Sequence, residues 1–239
     1  MVEKSIGQLV AERPSRSVIF EKWGVDYCCG GKRSLQEACT AQKIDYNTLE
    51  LEIAEADARV DGNEQDWTTV SLTELVDHIV STHHAYLREA LPRITMLTEK
   101  VAKAHGQRHP ELAEVVLVFN GFRIGMQHHA RKEENVLFPY VKSLESAGTE
   151  VSPLCGGISN PISVLENEHE EAGAALEQLR VLTAGYAVPD GACGTYIAML
   201  SALEELEMDT HRHVHKENSI LFPRAAQREA ELTASTGTC

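Results

Sequence analysis

Between residues 71 and 231, apolar side chains recur at steps of three and four in four long stretches, with polar turn formers between them. Positions three and four apart share one helix face, so the pattern predicts helices over about 71–104, 110–146, 162–182 and 192–231. In the first, Val80, His84, Leu87, Leu91 and Ile94 keep the step, and Pro92 is expected to kink the helix. In the second, Val115, Val118, Phe122, Met126, His129, Glu133, Val136 and Tyr140 keep it. The third has Ile162, Leu165, His169, Ala172, Leu176 and Leu179; the fourth has Leu203, Leu206, Thr210, His213, Glu217 and Ile220. Gly148 with 153–161, and the turn at 188–191, separate the later helices. Four such helices with short to moderate connections predict an all-α chain built on an antiparallel four-helix bundle.

Residues 1–60 read as a small domain of short helices. Ser15 is placed to cap a helix that Gly24 stops, and Ser34-Leu35-Gln36-Glu37 has the form of a capping box. A further amphipathic stretch covers 49–58. The polar segment 61–70 reads as a linker, 71–231 as the bundle, and 232–239 as a loose tail.

Polar residues interrupt the apolar stripes in a repeated way. The second helix contains His129-Ala-Arg-Lys-Glu133-Glu-Asn-Val-Leu137-Phe138-Pro139, and the fourth contains His213-Val-His-Lys-Glu217-Asn-Ser-Ile-Leu221-Phe222-Pro223. Both fit H-x3-E-x3-L-F-P without a gap. His and Glu four apart lie on one face, about 6 Å apart along the axis. On a core-facing stripe a bare carboxylate is costly unless it is paired or metal-bound. With His84 and His169 on the other two stripes, the bundle interior receives four imidazoles and two carboxylates. The small run Ala172-Gly173-Ala174-Ala175 leaves room beside His169.

Neighbouring histidines compete for these places. His128 has Lys132 as its i+4 partner, which removes it. His83 and His84 are both compatible with the first stripe, since Ile79 and Leu87 also flank His83. His211 and His215 fall off the seam, and His78, His105 and His109 read as surface or cap residues.

Four imidazoles and two carboxylates give two metals four protein donors each if the carboxylates are shared. An octahedral metal then keeps positions for an oxo or hydroxo bridge and a small ligand such as O2 or NO. That donor set suits two non-haem iron ions better than structural zinc, whose sites are closed. His leading Glu at i+4 resembles the hemerythrin arrangement and differs from the Glu-x-x-His of ferritin-like carboxylate bundles.

Composition narrows the partners. The chain has 239 residues, 43% of them hydrophobic, and a formal charge of -14, which argues against a nucleic-acid surface. No apolar run is long enough for a signal-peptide core or a membrane span, so a cytoplasmic protein with reduced thiols is expected. The six cysteines include the adjacent pair Cys28 and Cys29, followed by Gly30 and Gly31, which would give backbone freedom. A helix N-terminus near Ser34 is placed to lower a thiol pKa there. Cys39, Cys155, Cys193 and Cys239 receive no role, although Cys155 falls in a loop where a thiol could react.

Two regions together resemble the RIC (repair of iron centres) family, the di-iron iron-sulfur cluster repair proteins of the ScdA/YtfE type with a hemerythrin-like domain. The first is Gly7-Gln8-Leu9-Val10 with Asp26-Tyr27-Cys28-Cys29-Gly30-Gly31-Lys32. The second comprises Asp77-His78-Ile79, Lys132-Glu133-Glu134, Pro161-Ile162-Ser163-Val164 and Glu168-His169-Glu170-Glu171-Ala172-Gly173. The resemblance implies metal ligands His84, His129, Glu133, His169, His213 and Glu217, choosing His84 over His83. It implies an intracellular protein, often a homodimer, that responds to nitric oxide and oxidant stress. Damaged iron-sulfur proteins would be its partners, repaired by iron donation rather than by ordinary enzymatic turnover. Cys28 and Cys29 would act in the transfer. Other functions for the same bundle are a di-iron NO reductase or peroxidase, with Glu134, Glu168 and Tyr140 as candidate proton donors, and an O2- or NO-binding sensor or carrier.

Overall fold

A computed structural model describes residues 4–59, 65–146 and 157–236. It is helical throughout, with no β-strand among the described residues. Part of the expected 61–70 linker, Cys155 and Cys239 lie outside the described residues. The chain divides into two compact units.

One unit comprises Met1–Asp77, Tyr140–Ile162 and His211–Cys239. Its first helix, α1 (Ile6–Glu12), was not anticipated. Ser5 caps it, with Gln8 returning the bond to the Ser5 N–H. A 3-10 turn, Pro14–Arg16, then leads into α2 (Ser17–Lys22). The expected cap at Ser15 does not form, because Ser15 lies inside that turn and Arg13 precedes it. Gly24, at φ +63°, ends α2 as expected. Ser34 and Glu37 form the capping box of α3 (Leu35–Gln42), and α4 is Tyr46–Arg59. Ile6, Val10, Phe20, Tyr27, Ala38 and Leu49 make the buried core of this N-terminal part.

The other unit comprises His78–Pro139 and Ser163–Thr210. Its core takes side chains from four helices: Leu87, Leu91 and Ile94, then Val115, Phe119 and Phe122, then Leu176 and Leu179, then Leu203 and Leu206. The helices appear close to where periodicity put them. They are α5 (Leu72–Ile79) with α6 (Ala85–His105), α7 (Leu112–Lys132) with α8 (Phe138–Ser146), α9 (Ser159–Leu182), and α10 (Gly194–Lys216) with α11 (Phe222–Thr236). α6 runs unbroken through Pro92. The expected tail is helical as far as Thr236.

What periodicity did not show is a π-turn inside three of these helices, at Val80–His84, Glu133–Leu137 and Glu217–Leu221. In the latter two the Glu carbonyl accepts from the Phe138 or Phe222 N–H, five residues on. A proline follows in each case, and the wider turn accommodates a ring that would strike the carbonyl four residues back in a regular helix. No proline follows Val80–His84, and that turn has no such account. The added residue moves the register. Val136, expected on the core stripe, is 51% exposed, while Leu137 is buried.

Candidate metal centre

The last turn of α7 and the π-turn after it bring His129 and Glu133 to one face. His129 Nε2 lies 3.4 Å from Glu133 Oε2, and His84 Nε2 lies 3.2 Å from the same oxygen. His169, from α9, presents Nε2 to His129 Nε2 at 3.0 Å. In the other unit, His213 Nε2 stands 2.9 Å from Glu217 Oε1. All six residues are buried, with Glu133, His169, His213 and Glu217 fully so.

The spacing between donors tests whether a metal fits. Two donors about 2.1 Å from one ion and a right angle apart lie about 3.0 Å from each other. The separations of 2.9–3.4 Å fall around that edge length. Two imidazole Nε2 atoms at 3.0 Å also need a proton or a cation between their lone pairs. Buried, fully desolvated carboxylates favour a cation as well.

The outer nitrogens of two histidines are held by carboxylates. His84 Nδ1 meets Glu134 Oε1 at 2.7 Å, and Arg88 Nη1 meets the same oxygen at 2.9 Å. His129 Nδ1 meets Glu168 Oε2 at 3.0 Å, and Lys132 pairs with the other oxygen of Glu168. Partial burial pushes both carboxyls up. The hydrogen bonds and charges of His84 with Arg88, and of Lys132 with His129, outweigh it and hold both below the ordinary range. Each carboxylate is therefore placed to accept from an imidazole Nδ1–H and orient the ring. Tyr140 is committed elsewhere: its hydroxyl donates to Glu229, which also accepts from the Ile158 N–H.

The competing histidines separate cleanly. His83 is buried but turns its Nδ1 to Asp209 at 2.8 Å, whereas His84 faces Glu133. His128 is exposed. His215, set aside from sequence, is only 5% exposed and packs edge-on to Tyr27 at 5.4 Å. Burial, with the Lys216 charge, pushes its pKa down to about 3. That contact comes from a loop nearly two hundred residues away in sequence, so no local signal announced it.

The Cys28-Cys29 loop is organised by Asp26. Its Oδ1 accepts from the N–H groups of Cys28 and Cys29 at 3.0 Å each, and its Oδ2 from Gly30 at 2.8 Å. The Cys28 thiol contacts Asp26 Oδ1 at 3.2 Å and Cys29 Sγ at 3.9 Å. The helix terminus expected to acidify these thiols does not do so at Cys28. The Cys29 contact, burial and the Asp26 charge hold that thiol well above its ordinary pKa. Gly30 and Gly31 do not take positive φ either. Gly31 is required by close approach, since a Cβ there would stand 2.5 Å from the Tyr27 carbonyl oxygen and 3.3 Å from Gly7 Cα. The loop reaches the second repeat: Asn218 Nδ2 donates to the Cys28 carbonyl at 3.4 Å, and α1 packs on the Glu217–Leu221 turn.

Residues 75–225 match the family model of the hemerythrin HHE cation binding domain, and residues 2–57 match the ScdA_N domain (DUF542), a domain of unknown function. Proteins named iron-sulfur cluster repair protein YtfE are similar along almost their whole length. Those of Musicola paradisiaca and Enterobacter sp. are each 34% identical, over 232 and 228 residues, covering 95% of this chain and 98% of the relative. One from Escherichia coli is also 34% identical over 228 residues, with the same coverage. The chain belongs to this hemerythrin-domain family of iron-sulfur cluster repair proteins. Among the described residues no helix is long and apolar enough to cross a membrane.

Proposed function

We propose that this chain is a di-iron protein that repairs iron-sulfur clusters damaged by nitrosative and oxidative stress, by donating iron. The observation that carries the reading is the buried H-x3-E repeat, with His129 and Glu133, and His213 and Glu217, spaced as metal donors. Two non-haem irons, when bound, supply Lewis acidity, exchangeable coordination sites and the metal to be given up. In this reading His84, His129, Glu133, His169, His213 and Glu217 are the residues that would hold the ions. It takes 71–231 as an antiparallel four-helix bundle and 1–60 as the module that carries the thiols.

The chain's own residues then have distinct tasks. Glu134 with Arg88, and Glu168 with Lys132, hold His84 and His129 with Nδ1 protonated and Nε2 turned inward. Cys28 and Cys29 take part in transfer, and the high pKa of Cys28 keeps that thiol protonated until a metal displaces its proton. The setting is cytoplasmic, the assembly a homodimer, and the partners are damaged iron-sulfur proteins, with NO or O2 as small ligands. The names of the relatives support this reading.

Metal analysis of anaerobically purified protein tests the centre: about two irons per chain are expected, lost in Glu133→Ala or Glu217→Ala. Tight stoichiometric zinc would overturn it. Anaerobic incubation with an NO-damaged iron-sulfur enzyme tests the use. Full repair by the Cys28→Ser, Cys29→Ser variant would remove the thiols from the transfer, and many-fold turnover of NO to N2O would make the protein a reductase instead.

A further inference from the structure

A cavity of about 300 Å³ lies where α1, the Pro14–Arg16 turn and α2 meet the last turn of α10. Arg212, His215 and Lys216 enter its wall at i, i+3 and i+4 on one helix face, and Ser15, Tyr27 and Trp67 enter from the N-terminal part. Ser15 Oγ has no hydrogen-bond partner, and with one face of the His215 ring turned to the Tyr27 backbone the other ring nitrogen is left without one. His215 is 95% buried, being 5% exposed, and the Tyr27 ring edge at 5.4 Å fixes its orientation. Buried polar groups are nearly always satisfied, so two around one cavity call for an occupant that bonds them.

The wall also specifies the occupant's charge. Among the described residues it carries two cations and no Asp or Glu, in a chain whose net charge is -14. Arg212 Nη2 meets Glu21 Oε2 at 3.3 Å, and the Tyr27 hydroxyl donates to the other oxygen of Glu21 at 2.9 Å. Glu21 thereby braces Arg212 and Tyr27 together. Lys216 Nζ stands 6.0 Å from the Trp67 ring centre. A volume of this size holds about ten water-sized groups, which admits a small metabolite and excludes a nucleotide or a folded peptide.

We propose that this cavity binds a small hydroxycarboxylate. Its carboxylate meets Arg212 and Lys216, its hydroxyl meets Ser15 and His215, and its carbon skeleton lies against Trp67 and Tyr27. Tyr27 directly precedes Cys28, so the occupant supports the thiol loop from behind. The site needs nothing from the proposed irons and stands or falls separately from them.

The test titrates the full, metal-loaded chain with citrate, malate, inorganic phosphate and potassium chloride at matched ionic strength, by calorimetry and tryptophan fluorescence. Citrate or malate is expected to bind one per chain with a dissociation constant below about 1 mM. Lys216→Gln should weaken it roughly tenfold and Ser15→Ala about threefold. Trp67→Phe should abolish the fluorescence change while keeping the heat. Iron content is read alongside, and Ser15→Ala, remote from the proposed ligands, decides if Lys216→Gln loses metal. No saturable binding of either acid up to about 10 mM overturns the proposal. So does phosphate binding equally well with no effect of Ser15→Ala, which would mean a nonspecific anion site.

Discussion

Glu134 Oε1 lies 2.7 Å from His84 Nδ1, and Arg88 holds that carboxylate from the other side. The contact fixes the imidazole tautomer and leaves the Nε2 lone pair facing Glu133. Glu134→Gln keeps the shape but removes the charge. Metal affinity, measured by chelator competition, should fall about 10- to 100-fold, and Glu168→Gln should do the same through His129. Unchanged affinity in both variants would end the orienting role.

Pro139 follows the π-turn that starts at Glu133. Pro139→Ala restores an N–H and removes the ring, so a regular α-turn can form. That shift would rotate Glu133 by about 100° relative to Leu137. Bound metal should drop while far-UV circular dichroism stays nearly constant. Full loading would show that the π-turn does not depend on the proline.

Gly31→Ala places a methyl against the Tyr27 carbonyl and Gly7. Both are backbone, so neither can swing aside. The variant should lose about 1–3 kcal/mol, seen as a lower midpoint in urea. A midpoint equal to wild type would mean that the loop adjusts freely.

Arg16 grips Asp57 through two bonds, Nε to Oδ1 at 3.0 Å and Nη2 to Oδ2 at 2.6 Å. The Arg16 hydrogen bonds hold the Asp57 carboxyl below its ordinary pKa. Its contribution is therefore complete above the unfolded value of about 3.9 and is lost as the pH falls through the lower folded value. Asp57→Asn should cost about 1 kcal/mol at pH 7, after allowance for screening, and lower Tm by about 2–4 °C. The difference from wild type should vanish in acid. A gap that persists at pH 2 would assign the effect to packing.

The helical spans and the His/Glu repeat were legible because period and composition both mark them. The chain's π-turns were not, since one added residue leaves no compositional trace until Val136 is found outside and Leu137 inside. Ser15 read as a cap because capping residues are defined locally, while Pro14 opens a turn that takes up Ser15, so that α2 begins only at Ser17. The burial of His215 and the raised pKa of the Cys28 thiol were not legible for one reason: their environments come from distant segments. The choice between His83 and His84 lay beyond periodicity too, and it turns on which ring meets Asp209 and which meets Glu133.

The two copies of the repeat have ceased to be interchangeable. After the shared Glu, the first copy has Glu134, which serves His84, and the second has Asn218, which holds the Cys28 carbonyl. Two residues further on, Val136 is 51% exposed, while its counterpart Ile220 is 3% exposed. A duplicated motif has thus been divided into a closed half with a third carboxylate nearby and a half whose outer side is docked to a thiol-bearing loop. Ions held by such a pair would differ in how tightly they are kept, and under the proposed reading the one released would be the one beside the loop.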